Sequence, residues 1–164
     1  MKGRGMAAAI GITIVWFAFT ASMTYGFDPD HVQQLKGTKQ CESCDLREAN
    51  LNELFLRWAS TSRANASKAD LSRAKLYQAD LSEANLSEAN LSWAFLSETN
   101  LNKANLKRAN LNNANLSGAD LRGANLTGAK LKHANLNKAD LRGAIWIDGR
   151  ECNLRSIGQC YKGK

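Results

Sequence analysis

The sequence predicts an all-β solenoid, in which short extended pieces alternate with corners and the chain coils around its own leucines. Twenty positions spaced by five run from 46 to 141, and eighteen of them are Leu, the exceptions being Thr61 and Ala66. Ala stands two residues earlier in all but three repeats, which is the spacing that puts both side chains on one face of an extended segment. Asn or Asp fills fifteen of the twenty intervening positions, and these residues favour turns because they hydrogen-bond to nearby backbone.

The period of five excludes the two regular alternatives. In an α-helix a step of five residues rotates by about 140°, so the leucines would spread around the whole cylinder. In a continuous strand successive leucines would point to opposite faces, because five is odd. A chain that bends the same way after each extended piece keeps every leucine inside. The two positions that follow each Leu are mostly Ser, Asn, Lys, Arg, Glu or Gly and predict solvated corners.

Pentads such as ADLSE, ANLKR and ADLRG resemble the motif A(D/N)LXX of the pentapeptide-repeat proteins. The register is kept from Cys44 to Gly143, and we assign residues 41–145 to the repeat domain. The resemblance implies a right-handed quadrilateral β-helix with four pentads in each coil. Twenty pentads then make five coils, which at about 4.8 Å between stacked strands form a rod roughly 24 Å tall.

The amino-terminal residues 1–26 are predicted to be a secretory signal. Lys2 and Arg4 precede a stretch without charge that runs from Met6 to Phe27, and small residues stand before a cleavage point after Gly26. The alternative is an uncleaved anchor, since this stretch is barely long enough to span a bilayer. The segment CESCDL and the residues before it also resemble the prelude to the repeats in secreted and thylakoid-lumen members of cyanobacterial type.

Short segments are predicted to cap both ends of the rod. Residues 27–40 indicate a helix, with Asp28 as N-cap, Pro29 at the first helical position and Gly37 past the end. Residues 146–164 leave the pentad rhythm and carry the turn signal Asp148-Gly149. Caps are expected because the end coils of a solenoid otherwise expose leucines and an unpaired strand edge.

The four cysteines allow three pairings. Cys41 and Cys44 stand at the start of the rod, and Cys152 and Cys160 stand past its end, so a cross pair would have to bridge roughly 20 Å against a Cα limit near 7 Å. We therefore expect the local disulfides Cys41–Cys44 and Cys152–Cys160. A redox role for Cys41-x-x-Cys44 is the alternative, although the βαβ context of thioredoxin-like proteins is missing and Cys44 occupies an inward repeat position.

The remaining residues give little indication of chemistry. A zinc site at Cys41 and Cys44 would need two more ligands, and only His31 lies near in the sequence. His133 stands at a corner, and the repeated Asp and Glu residues follow the turn pattern without a nucleophile, base and orienter grouping. We therefore expect that the protein is not an enzyme and that it binds no metal and no cofactor.

Charge separates the candidate functions. Residues 28–98 hold eight basic and eleven acidic residues, whereas residues 99–164 hold twelve and four, so the rod is electrically polar. Some members of the family mimic DNA with an acidic rod, and a basic, exported chain departs from both conditions. We also expect no nucleic-acid binding in an exported protein, and at most weak adsorption of the basic half to anionic membrane surfaces.

The outward aromatic residues gather on one side of the predicted square. With a repeat of twenty residues per coil, five of them fall on or beside the third side in the first three coils: Phe55, Trp58, Tyr77, Trp93 and Phe95. Large aromatics on a solvated surface are typical of contact sites. We take this set as the candidate surface for an unknown partner protein or for self-association.

The sequence thus predicts a non-catalytic solenoid that is exported to the periplasm, the thylakoid lumen or the extracellular space. There it would act as a rigid interaction surface or scaffold. The alternative function is that of a redox-active or envelope-protective protein acting through Cys41 and Cys44.

Overall fold

The computed structural model describes residues 26–161. The predicted signal segment, with the alternative of an uncleaved anchor, lies outside the described residues except for Gly26. Within residues 26–161 no helix has both the length and the apolar character needed to cross a bilayer.

Successive coils pair in parallel at a constant separation of twenty residues. The pairs begin at Gln40 with Ser60 and continue to Asn125 with Ile145. Four pentads therefore complete one coil, and the sides can be numbered from the first coil as side 1 (Leu46), side 2 (Leu51), side 3 (Leu56) and side 4 (Thr61). Each pairing is an isolated single-residue bridge, and residues 26–161 contain no continuous strand.

Each side of an inner coil makes the same three backbone hydrogen bonds to the coil above. On side 2 the N–H groups of Leu91 and Trp93 donate to the carbonyls of Asn110 and Asn112 at 2.8 and 3.0 Å, and the Asn110 N–H donates back to Ala89 at 2.9 Å. The leucines and the alanines two places before them point inward, and they are buried in every coil but the last. Because alanine is small, the backbone at these positions approaches the core closely enough for the chain to turn four times per coil.

The second position after each leucine adopts a left-handed backbone conformation. Its φ is 58° at Glu83, 61° at Trp93 and 69° at Gly118, so the site is filled mostly by residues with side chains. A non-glycine residue in this region costs roughly 1–2 kcal/mol. The corner is held by the Asn or Asp before the leucine, as where the Ser82 N–H donates to Asp80 Oδ1 at 2.9 Å.

The single helix of the described chain, α1, spans Pro29–Thr38 and lies against the first coil. Asp28 is its N-cap, and Val32 and Leu35 are its buried residues. His31 Nδ1 accepts a hydrogen bond from the Asp45 N–H at 3.0 Å. In the inner coils the equivalent N–H donates to a backbone carbonyl of the coil below, so here a side chain of α1 replaces that acceptor. The prediction that Gly37 follows the helix was wrong, because the left-handed C-cap is Lys39, with φ 58°.

The carboxyl-terminal segment folds back over the last coil. Antiparallel bridges join Ile145 to Glu151 and Asp140 to Ile157. The reversal starts at a turn in which the Gly149 N–H donates to Trp146 O at 2.9 Å with φ 83° at Gly149. This segment pairs with the upper backbone edge of side 4 in the last coil, and Ile145 pairs with the upper edge of side 1.

Candidate interaction surface

The five predicted aromatic residues lie on side 3 and its two corners. Bridges from Phe55 to Lys75 and from Lys75 to Phe95 stack these three residues in one column along the rod. The exposed fractions are 65% for Phe55, 59% for Trp58, 56% for Trp93 and 49% for Phe95, and Tyr77 is half-buried. The other outward columns of the repeats are polar, so this is the apolar side of the rod.

Three of the five aromatics line a groove of about 450 Å³, which we call the aromatic groove. Two columns of residues form its walls, and successive residues in a column lie one coil apart. The corner column is Glu53, Arg73 and Trp93, and the side column is Phe55, Lys75 and Phe95. Lys75 Nζ lies 4.1 Å from the centroid of the Phe55 ring. Arg73 Nη1 lies 3.3 Å from Glu53 Oε1. A ligand in this groove would meet aromatic rings at both ends and two cations between them.

The other two aromatics are held by side chains of their own chain. Trp58 Nε1 donates to Gln78 Oε1 at 2.8 Å, and the Tyr77 hydroxyl donates to Glu98 Oε2 at 3.2 Å. The Arg57 guanidinium lies 4.7 Å from the Trp58 ring and 5.1 Å from the Tyr77 ring. Desolvation, assisted by the bond to Glu98, raises the pKa of the Tyr77 hydroxyl. These contacts fix the orientation of Trp58 and Tyr77 at the flank of the surface, where Trp58 stays as exposed as the rings of the groove.

The two cations of the groove were missed by reasoning from the sequence. Arg73 and Lys75 belong to pentads whose outward residues look like ordinary solvated corners. The signal that reveals them is the twenty-residue column: positions 53, 73 and 93 hold Glu, Arg and Trp, and positions 55, 75 and 95 hold Phe, Lys and Phe.

Three outward aspartates of the repeats, Asp45, Asp120 and Asp140, pair with the arginine two residues later. Asp140 accepts from Arg142 Nε at 2.8 Å, and Asp120 makes the same contact with Arg122. The bond from Arg142 lowers the pKa of Asp140. Metal-binding groups of three or more His, Cys, Asp and Glu residues are absent from the part of the chain described.

All four cysteines form disulfides, Cys41–Cys44 and Cys152–Cys160. Cys41 and Cys44 are buried beneath α1, with exposed fractions of 0% and 3%. Thiol–disulfide exchange requires a thiolate to reach the sulfur, so this bond is shielded in the folded chain. Cys160 is the more accessible cysteine of the second bond.

The family model described as "Pentapeptide repeats" matches residues 40–82, 67–102 and 104–143, in eight copies. A search of curated proteins finds no match. Among solved structures, a pentapeptide-repeat protein of the Arabidopsis thaliana thylakoid lumen is 29% identical, with 67% of this chain and 70% of that chain covered and a TM-score of 0.48.

Two further solved structures are similar. Rfr23, a pentapeptide-repeat protein of the cyanobacterium Cyanothece 51142, is 31% identical, with 71% of this chain and 97% of that chain covered and a TM-score of 0.39. QnrB1, a plasmid-mediated fluoroquinolone resistance protein, is 22% identical, with 57% and 55% covered and a TM-score of 0.38.

Proposed function

Because this chain belongs to the pentapeptide-repeat family, we propose that it is a right-handed quadrilateral solenoid that works outside the cytoplasm as a non-catalytic interaction module. The amino-terminal sequence supports export, with basic residues followed by an uncharged stretch. Two disulfides also support an oxidising compartment such as the periplasm, the thylakoid lumen or the extracellular space. The repeat body supplies rigidity, and the outward columns supply the contact surface.

The observation that carries this proposal is the exposure of Phe55, Trp93 and Phe95 around one groove. Each ring is attached to a pentad whose backbone is fixed by the ladder, so binding would not have to order the surface first. Rigid aromatic residues are enriched among the residues that dominate binding energy at protein interfaces. The groove is therefore a preorganised site for apolar side chains.

The charge of the groove favours a different protein over a second copy of this chain. Arg73 pairs with Glu53, whereas the Lys75 ammonium lies over the face of Phe55 and forms no ion pair with a carboxylate of residues 26–161. A two-fold pairing of side 3 centred on Lys75 would place that ammonium against its own copy. A partner that presents apolar residues around a carboxylate would instead complement both the rings and the cations.

The double variant Phe55→Asn with Phe95→Asn tests the proposal. Asn is the commonest residue at this position of the pentad, and the same column holds Asn115 and Asn135, so the variant restores the repeat pattern. It removes two aromatic surfaces without disturbing the core. The matched control is Leu154→Ser, which removes an apolar side chain that is 85% exposed in the carboxyl-terminal segment.

Immobilised protein would be used to recover partners from envelope or lumen extract, and the purified partner would be titrated against each variant. We expect the double variant to lose binding by about tenfold or more, and the control to bind as the wild type does. Equal binding by the double variant would refute the surface. A complex that contains only a second copy of this chain would refute the choice of partner.

The redox alternative is tested on the same preparation by titration with a mild reductant and a thiol reagent. The burial of Cys41 and Cys44 predicts that Cys152–Cys160 is reduced first. Earlier reduction of Cys41–Cys44 at moderate potential would favour redox work.

A further inference from the structure

The last coil leaves half of its upper edge unpaired. On sides 2 and 3, six backbone groups that every inner coil uses make no hydrogen bond with any residue from 26 to 161: the N–H groups of Leu131, His133, Leu136 and Lys138 and the carbonyls of Ala129 and Ala134. One coil below, the equivalent Leu111 and Asn113 N–H groups donate to Lys130 and Lys132 at 2.8 and 2.9 Å. We call these six groups the open edge.

The predicted carboxyl-terminal cap therefore covers only half of the coil. The Leu141 N–H donates to Ser156 O at 2.8 Å on side 4, and the Leu126 N–H donates to Ile145 O at 2.7 Å on side 1. Leu131 and Leu136, on the two open sides, are partly exposed, whereas Leu111 and Leu116 beneath them are 0% exposed. An unpaired strand edge beside half-buried leucines is a template for a further strand.

The rim of the open edge is basic. Lys130, Lys132, His133 and Lys138 are exposed, and no ion pair joins any of them to a carboxylate of residues 26–161. Uncompensated positive charge next to an unpaired edge indicates an acidic occupant.

We propose that the open edge binds an extended acidic segment of a partner protein, which adds to the solenoid as the next strand. This second contact surface is separate from the aromatic groove and does not depend on it. The backbone pattern sets the sequence of the segment. In the ladder, the residue before each leucine donates and accepts a bond and the residue after it accepts one, while the leucine side chain points inward. The partner segment would therefore read acidic, apolar, acidic.

The same groups argue against other anionic occupants. Ala129 and Ala134 offer carbonyls that need donors, and a phosphate or a lipid headgroup that carries no donor cannot satisfy them. A second copy stacked through the same carboxyl-terminal end would bring two basic rims together, which is electrostatically unfavourable. A peptide backbone supplies donors and acceptors in the required alternation.

The test uses a ten-residue synthetic peptide, acetyl-AELEGAELEG-amide, which carries two acidic pentads with glycine at the left-handed corners. Binding of the dye-labelled peptide to the intact protein would be followed by fluorescence anisotropy, and amide exchange by NMR. Two control peptides share its length: one with lysine in place of glutamate, and one N-methylated at the first glutamate of each pentad. N-methylation removes the hydrogen-bond donor but leaves the charge.

The protein variant is Lys132→Glu with Lys138→Glu, and its matched control is Lys107→Glu with Lys103→Glu. Each pair has one residue at the first and one at the second corner position, and Glu occurs naturally at the left-handed site, as at Glu83 and Glu98. The control pair lies below the last coil, so it changes the net charge equally without touching the open edge.

We expect the acidic peptide to bind, and amide exchange of Leu131 and Leu136 to slow by about tenfold on binding. The variant at the rim should lose about tenfold in affinity, and the control pair should lose less than about twofold. Equal binding of the N-methylated or the lysine peptide would overturn the proposal. So would a concentration-dependent dimer in sedimentation that protects Leu131 and Leu136 without peptide. Variants of Phe55 and Phe95 should bind the peptide normally, which keeps this test apart from that of the proposed function.

Discussion

Replacing Ala66 by Leu should stabilise the amino-terminal end of the rod. Ala66 and Thr61 are the two inward positions where the leucine repeat fails, and both are 3% exposed. A small void of about 10 Å³ lies there among Leu46, Leu71 and their neighbours. It is at the lower limit of the space that a water molecule needs, and its walls are apolar apart from Thr61, whose hydroxyl donates to Asp80 O at 3.0 Å.

The expected gain follows from the carbons that the substitution adds. Leu has three more carbons than Ala, and each buried CH₂ contributes about 0.8 kcal/mol, so the transfer term is about 2.4 kcal/mol. Fixing the leucine side chain costs about 0.5–1 kcal/mol of rotamer entropy. The free energy of unfolding should therefore rise by at most about 1.5 kcal/mol, because the void is smaller than the three added carbons and the neighbouring side chains must shift to admit them.

Urea unfolding of the oxidised protein would measure this change, with equal slopes required for wild type and variant. The control is Ala104→Leu, the same substitution at a buried alanine site that does not line the void. Overpacking there should cost about 1–3 kcal/mol. If Ala66→Leu destabilises the protein as much as Ala104→Leu does, the neighbouring side chains already fill the space at position 66 and the reasoning is wrong.

Three further predictions concern the rod as a whole. Amide exchange should show residues 44–66 opening before the hydrogen-bonded amides of residues 86–141, because two leucines are missing near the amino-terminal coil. Uniform protection of the hydrogen-bonded amides would contradict this. Because its pKa is lowered in the folded protein, Asp140 contributes stability above the ordinary carboxyl pKa, and this contribution is lost as pH falls through the lower folded value. Arg142→Ala should raise the pKa of Asp140 in an NMR titration. An unchanged pKa would show that Arg142 does not lower it. The carboxyl half of the rod should adsorb weakly to acidic lipid vesicles, and binding that survives about 0.5 M salt would rule out electrostatic adsorption.

The repeat body is predictable from the sequence because one residue type at one spacing determines both the bend and the core. Leu at the centre and Ala two places earlier predict a coil that bends the same way after each extended piece, whereas the number of sides was implied by the family resemblance. The corner conformation is less visible. Trp93 and Lys103 share the left-handed site with Gly118, so residue type alone does not reveal it. The hydrogen-bond ladder above and below imposes that conformation over the local preference.

The ends of the rod were predicted less well, since there the constraint of the repeat is absent. Gly37 and Lys39 both stand close to the end of α1, and Lys39 is the C-cap, whose carbonyl accepts a hydrogen bond from the Ser60 N–H of the first coil at 2.8 Å. The turn at Asp148 and Gly149 indicates a reversal, yet nothing in the sequence says how many sides the returning segment will cover. The groove cations Arg73 and Lys75 are likewise recognised only when residues twenty positions apart in the sequence are compared.

The four-pentad coil makes the rotational position of every surface depend on the count of pentads between them. A duplication of twenty residues would lengthen the rod by about 4.8 Å and leave the aromatic groove and the open edge on the sides they now share. A duplication of five residues would keep every leucine inward, and so would be tolerated by the core, yet it would turn everything downstream by a quarter of a revolution. Two bound partners would then face perpendicular directions. Relatives that differ by single pentads can thus differ in the geometry of an assembly while their cores remain the same.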